Sequence, residues 1–141
     1  MNHLKEKKLN NKGFSLVELI IVIAIMAVLI GVLAPQYLKY VEKSRQSADL
    51  DNYNEMISAV EAWAADPTNT WTDGDIKCAI NTASTASGGC ASALTDAGIT
   101  VGNVKMKSTL YGDCTITATK DANGYINFTF TNAGVQTAVG R

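Results

Sequence analysis

The chain has 141 residues, a formal net charge of −1, 47% hydrophobic and 18% charged side chains, three cysteines and one histidine. The near-neutral balance excludes the basic signature of a general nucleic-acid binder, so direct nucleic-acid binding is not indicated. Three Cys and one His fall short of a four-ligand zinc site, and His3 sits too near the N-terminus to serve a folded catalytic centre. No Gly-rich phosphate loop or paired-carboxylate site stands out, so no enzyme, no cofactor and no metal are expected.

The chain opens with MNHLKEKKLNNKG, residues 1–13, in which Lys5, Lys7, Lys8 and Lys12 against Glu6 give +3. The next 21 positions, Phe14 to Ala34, hold 18 hydrophobic residues, and from Leu19 to Ala34 no side chain is polar. A run of about 20 apolar residues at ~1.5 Å rise spans a bilayer core as a helix. It lacks the polar face of a helix on the surface of a globular domain. Positive flanks stay cytoplasmic, which predicts an N-terminus inside and the remaining chain outside. From Pro35 onward the chain carries 8 basic and 11 acidic side chains, in agreement with that orientation.

Two plainer readings compete. One is a secretory signal peptide with Val32-Leu33-Ala34 as its small-residue cleavage site, against which stand Pro35 and the length of the run. The other is an ordinary single-pass anchor carrying a binding domain. Neither accounts for Glu18, a carboxylate near the start of the apolar run. Such a charge costs about 2.5–3.5 kcal/mol at the bilayer centre and normally has a partner.

From Lys12 to Pro35 the sequence resembles the N-terminal segment of type IV pilins and pseudopilins. The matching elements are the basic leader, Gly13 before Phe14, Ser15-Leu16-Val17, Glu18 as fifth residue after the junction, the apolar run, Gly31 and Pro35. Ser15 stands where Thr is frequent in the family. The resemblance extends through the following helix to about Asp66 and does not cover the C-terminal half in detail.

The resemblance implies that prepilin peptidase cuts the Gly13–Phe14 bond and N-methylates the new Phe14 amine. It implies that Glu18 pairs with the Phe14 amine of a neighbouring subunit, two charges that are each costly alone in lipid. It implies that Gly31 and Pro35 bracket a stretch where pilin helices loosen inside filaments; Pro35 itself lacks an N–H and clashes with the preceding turn, so that a kink or break is expected. The implied partners are prepilin peptidase, identical or related pilin subunits, the pilus assembly machinery of the cytoplasmic membrane, and membrane lipid before assembly. The implied product is a surface filament for adhesion, motility or DNA uptake. A pseudopilin of a type II secretion or competence apparatus is the alternative within the family.

The expected organisation is a leader at 1–13, a transmembrane or filament-core helix at 14–34, and an extracytoplasmic head at 35–141. In the head, residues 36–65 read as a helix without Gly or Pro. Met56, Ala59, Val60 and Trp63 follow the i, i+3, i+4 pattern of a core-facing stripe. Glu42 to Asn52 reads as solvated or inter-subunit. Asp66-Pro67 ends the helix. Counted from Phe14, the helix reaches about 52 residues and ~78 Å.

Thr68 to Gly98 reads as loops, with a short helix near Cys90–Ala97 capped by Gly98. Ile99 to Lys107 reads as a strand with Ile99, Val101 and Met106 on its inward side. Cys114 to Lys120 alternates, with Cys114, Ile116 and Ala118 on one face. Asp121 to Gly124 is turn chemistry, and Tyr125 to Thr131 alternates again with Ile126, Phe128 and Phe130 inward. Together they predict a β-hairpin. Asn132-Ala133-Gly134 reads as a turn and Val135–Val139 as an edge strand. The expected fold class is α+β, a long N-terminal helix packed on a small antiparallel β-sheet head, as in pilins.

Export permits disulfides. Cys78 and Cys90 close a ring of 13 residues, a stabilisation of about 3 kcal/mol in the chain-entropy model. That pairing leaves Cys114 as a small buried hydrophobe, and a bond to Cys114 is its rival. Gram-negative pilins often close a C-terminal loop with two late cysteines, and none follows Cys114 here. Asp73-Gly74-Asp75 lacks the rest of an EF-hand loop and reads as a solvated turn. Asn127-Phe128-Thr129 matches a glycosylation sequon in mid-strand.

Overall fold

A computed structural model gives the fold. It describes residues 13–70, 76–80, 86, 88–112 and 114–140, with the backbone alone at 76–80 and 101. The elements are α1 (Leu16–Ala65), β1 (Ile76–Ile80), α2 (Gly89–Asp96), a 3-10 turn (Val101–Asn103), β2 (Cys114–Lys120), β3 (Ile126–Phe130) and α3 (Ala133–Val139). The chain divides after Leu38 into two compact units. Asp73-Gly74-Asp75 lies outside the described residues.

In the N-terminal unit every described residue is exposed, from Gly13 to Leu38. α1 contains one stretch long and apolar enough to cross a membrane by length and composition. Pro35 lies inside α1, so the expected break is absent. The physical reason is local: proline removes one donor, the N–H that would reach the carbonyl four residues back, and the remaining bonds keep the helix. That carbonyl belongs to Gly31. The two residues singled out from the sequence are therefore the two sides of one missing hydrogen bond.

In the C-terminal unit, Asp49, Tyr53, Met56, Ile57 and Val60 of α1 are buried. Their spacing of four, seven, eight and eleven draws one helical stripe. Across it lie Cys90, Ala93 and Leu94 of α2, Cys114, Ile116 and Ala118 of β2, Phe128 of β3 and Val135 of α3, which together form the core. Ala59 and Trp63 pack against it half-buried. Fully burying one side chain of Leu or Ile size contributes ~1.5–3 kcal/mol, so this stripe binds α1 to the head.

The sheet is antiparallel with order β1-β2-β3. The hairpin forms as its alternation predicts: Cys114, Ile116 and Ala118 are buried, with Ala118 opposite Phe128 and Ile116 opposite Phe130. Asp121 closes the turn. Its N–H donates to the Tyr125 carbonyl, its Oδ1 accepts from the N–H groups of Asn123 and Tyr125, and Gly124 supplies φ +89°. α2 ends as expected at Gly98, φ +74°. The Gly98 N–H reaches the Thr95 carbonyl and the Ile99 N–H the Leu94 carbonyl, a Schellman cap.

Four readings of the sequence are corrected. β1 lies inside the stretch read as loops. Its five residues, IKCAI, are too few and too little alternating to stand out, and pairing with β2 makes them a strand. Residues 99–107 are a 3-10 turn and irregular chain, not a strand. The N–H of Lys107 is taken by a carboxylate of α1 instead of a ladder. Ile99, Val104 and Met106 still pack on the core. Val135–Val139 belongs to a helix, α3, because Asn132 caps it: Asn132 Oδ1 accepts from Gly134 and Val135, and Gly140 stops it at φ +76°. Finally, Glu42–Asn52 is not simply solvated, since Asp49 is 1% exposed.

Candidate processing and assembly segment

Gly13 and Phe14 precede α1 in irregular chain, and Phe14 is 93% exposed. A Cβ at Gly13 would meet nothing within 4 Å. Space for a side chain at Gly13 and an exposed aromatic ring at Phe14 therefore lie side by side just ahead of α1. Ser15 takes the N-cap position of α1, and its N–H donates to Glu18 Oε2 at 2.9 Å. This is the carboxylate half of a capping box. Ser15-Leu16-Val17-Glu18 carries the S-x-x-E spacing of that box, a local signal separate from the apolar pattern.

Glu18 therefore stands in the first turn of α1, where a negative charge also complements the helix dipole. One carboxylate oxygen is occupied by Ser15, and the group is exposed. It can hold its own helix start and still accept from a second donor, since an ionised carboxylate has about four lone-pair sites. Gly31 is likewise open, with nothing within 4 Å of a Cβ built there.

In the C-terminal unit, the segment 107–111 is tied down by three side chains of α1. Asp49 accepts from the N–H of Lys107 at 2.9 Å and of Ser108 at 2.7 Å. Tyr53 donates its hydroxyl to the Tyr111 carbonyl at 2.7 Å. Glu42 Oε1 accepts from the N–H and hydroxyl of Thr109 at 2.8 and 2.9 Å. The backbone bond from Thr109, followed by its hydroxyl, holds the Glu42 carboxyl below its ordinary value. Asn132, the cap of α3, donates to the Leu110 carbonyl at 2.9 Å. None of these tethers is visible in periodicity, because each joins residues far apart in the chain.

Of the cysteines, Cys114 is free and buried, and Cys90 is buried in α2. Cys78 stands in β1 at the register position opposite Ile116. Among the described residues no group of three or more His, Cys, Asp or Glu gathers into a metal site.

Comparison with known proteins bears on the N-terminal segment most directly. Residues 8–34 match the family described as the prokaryotic N-terminal methylation motif. The chain is also similar to type IV major fimbrial proteins FimA of Dichelobacter nodosus. One is 34% identical over 96 residues, covering 64% of this chain and 60% of that protein. Another is 38% identical over 55 residues, 39% of this chain and 35% of the relative. The chain thus spans less than two thirds of the curated relatives it matches. No solved structure matches it significantly. The chain is thus similar to type IV fimbrial proteins over part of their length, carries the N-terminal methylation motif at residues 8–34, and has the α+β architecture, a long helix on a small antiparallel sheet, expected from that resemblance.

Proposed function

We propose that the chain is a structural subunit of a type IV pilin-like filament, held in the membrane by the first part of α1 until it polymerises. The observation that carries this reading is the methylation motif at residues 8–34, which runs into the first part of α1, where every side chain from Leu16 to Leu38 is exposed. Exposed apolar surface of that extent requires lipid or other helices as cover. In the membrane it is lipid; in a filament it is the same helix of neighbouring copies.

In this reading prepilin peptidase cuts between Gly13 and Phe14 from the cytoplasmic side and methylates the Phe14 amine. Cleavage converts an amide into a cation two residues before α1 begins. Glu18 pairs with that cation on a neighbour. The exposed position of Glu18 and its remaining acceptor sites support the role. Gly31 and Pro35 make the weakest point of α1, since one backbone bond is missing between them. The head is extracytoplasmic and contains a Cys78–Cys90 disulfide. Its support is that Cys114 is free and Cys90 is bonded. The subunit works by packing, not by catalysis.

Mass spectrometry of the mature N-terminus, with electron microscopy of sheared surface material, tests the reading. N-methyl-Phe14 and filaments are expected. An intact Met1 means a plain anchor, and Pro35 at the N-terminus means a signal peptide; either result overturns the proposal.

A further inference from the structure

At the C-terminal end of α1, a groove of about 260 Å³ is lined by Ala59, Trp63, Asp66, Ala93, Asp96 and Ala97, among others. Methyl groups and the half-buried Trp63 ring form its walls, while Asp66 and Asp96 are exposed at it. Asp66 Oδ1 accepts from the Thr68 hydroxyl at 2.6 Å and its N–H at 2.8 Å. Those bonds, the hydroxyl's first, hold its carboxyl below the usual carboxylate value. Small walls admit a slender aliphatic stem. Two carboxylates call for a cation at its tip, and an indole ring nearby favours the same charge. A lysine side chain has this shape and charge.

The chain itself carries such side chains. Lys39 and Lys43 are exposed and one helical repeat apart on α1. Among the described residues neither has an ion-pair partner, whereas Arg45 lies 3.9 Å from Glu42. Lys43 cannot reach the groove of its own chain. It precedes Asp66 by 23 residues (66 − 43), about 35 Å along a helix.

We propose that the groove receives Lys43, with Lys39 beside it, of a second copy displaced by about 35 Å along the direction of α1. The inference rests on the filament reading and names one of its contacts. Groove and lysines are different patches of one surface, so the contact is heterologous. Each copy offers both halves, and repetition continues without end unless rotation closes a ring. Exposed charges of this kind set register and encounter rate more than affinity.

Charge reversal in the full-length chain tests it, read as the quantity of sheared filament. Leader removal and thermal unfolding serve as controls for processing and folding. Lys39→Glu with Lys43→Glu lowers the yield by about tenfold, and so does Asp66→Lys with Asp96→Lys. Combining all four restores most of it. Yields that do not fall, or a loss that the combination does not recover, overturn the contact while leaving the filament reading intact. A wild-type chain that forms no filament defeats that reading itself. As a second measurement, Lys43→Cys with Asp96→Cys gives a ladder of cross-linked oligomers in intact filaments. Filaments without the ladder exclude the contact.

Discussion

The backbone N–H of Ser108 donates to Asp49 Oδ2 at 2.7 Å, across 59 residues of sequence. The same carboxylate accepts from Lys107, and both Asp49 and Ser108 are buried. An acid on a polar stretch of α1 is thereby an interior group of the head. It ends the strand pattern that Ile99 to Lys107 otherwise presents.

Removing that carboxylate leaves two backbone donors without their partner. Asp49→Ala is expected to destabilise the head by about 2–4 kcal/mol, while Asp49→Asn, which keeps one acceptor, costs about half as much. Urea unfolding of the detergent-solubilised chain measures both. Asp49→Ala within ~0.5 kcal/mol of wild type would remove Asp49 from the account of the fold.

Glu42 gives the contact a pH dependence. Its carboxyl is held below the ordinary 4.5 by Thr109. The charged form is favoured on folding, so the stabilisation is fully present above 4.5 and fades as pH falls through the lowered value. The Thr109 amide resonance should move in that window, and Glu42→Gln should abolish the movement. A Thr109 resonance that titrates unchanged in Glu42→Gln would point to another group.

Glu18 has a local duty as a cap and a proposed duty as an ion-pair partner, and one substitution separates them. Glutamine retains the capping acceptor but not the charge. If pairing with a neighbour's amine is what assembly needs, Glu18→Gln and Glu18→Ala lose filaments alike, with leader removal unaffected. Wild-type filament yield from Glu18→Gln would leave Glu18 as a cap only.

Pro35→Ala restores a donor opposite the Gly31 carbonyl. An internal proline costs a helix ~3 kcal/mol relative to alanine. Slower amide exchange is therefore expected between residues 31 and 39 in detergent micelles. Unchanged exchange would mean that this part of α1 is not weakened by the proline.

Cys114 is buried and free, so a thiol reagent should label it only after unfolding. With a Cys78–Cys90 bond, one thiol per chain appears on denaturation without reductant and three with it. Cys90→Ser should cost about 3 kcal/mol. A second thiol in the unreduced, unfolded chain counts against the bond.

Much of this protein is local in origin and for that reason legible. The apolar run, the Gly13-Phe14 junction and Glu18 are a contiguous motif. Cys114–Lys120 and Ile126–Phe130 alternate with period two around the Asp121–Gly124 turn, and Met56, Val60 and Trp63 repeat with the period of a helix. Capping was equally local but easier to misjudge. Ser15-x-x-Glu18 is a capping box set at the start of an apolar run, and Asn132-Ala133-Gly134 has the composition of a turn although Asn132 starts α3.

Sequence by itself determined the membrane-length helix, the N-terminal methylation motif and the hairpin, because each is written in neighbouring residues. Tertiary structure decided that IKCAI becomes a strand, that residues 99–107 do not, and that Asp49 lies inside. Those outcomes depend on partners 38 to 59 positions away, Ile116 for Cys78 and Ser108 for Asp49. A backbone donor far along the chain outcompetes local preference once burial removes water as an alternative.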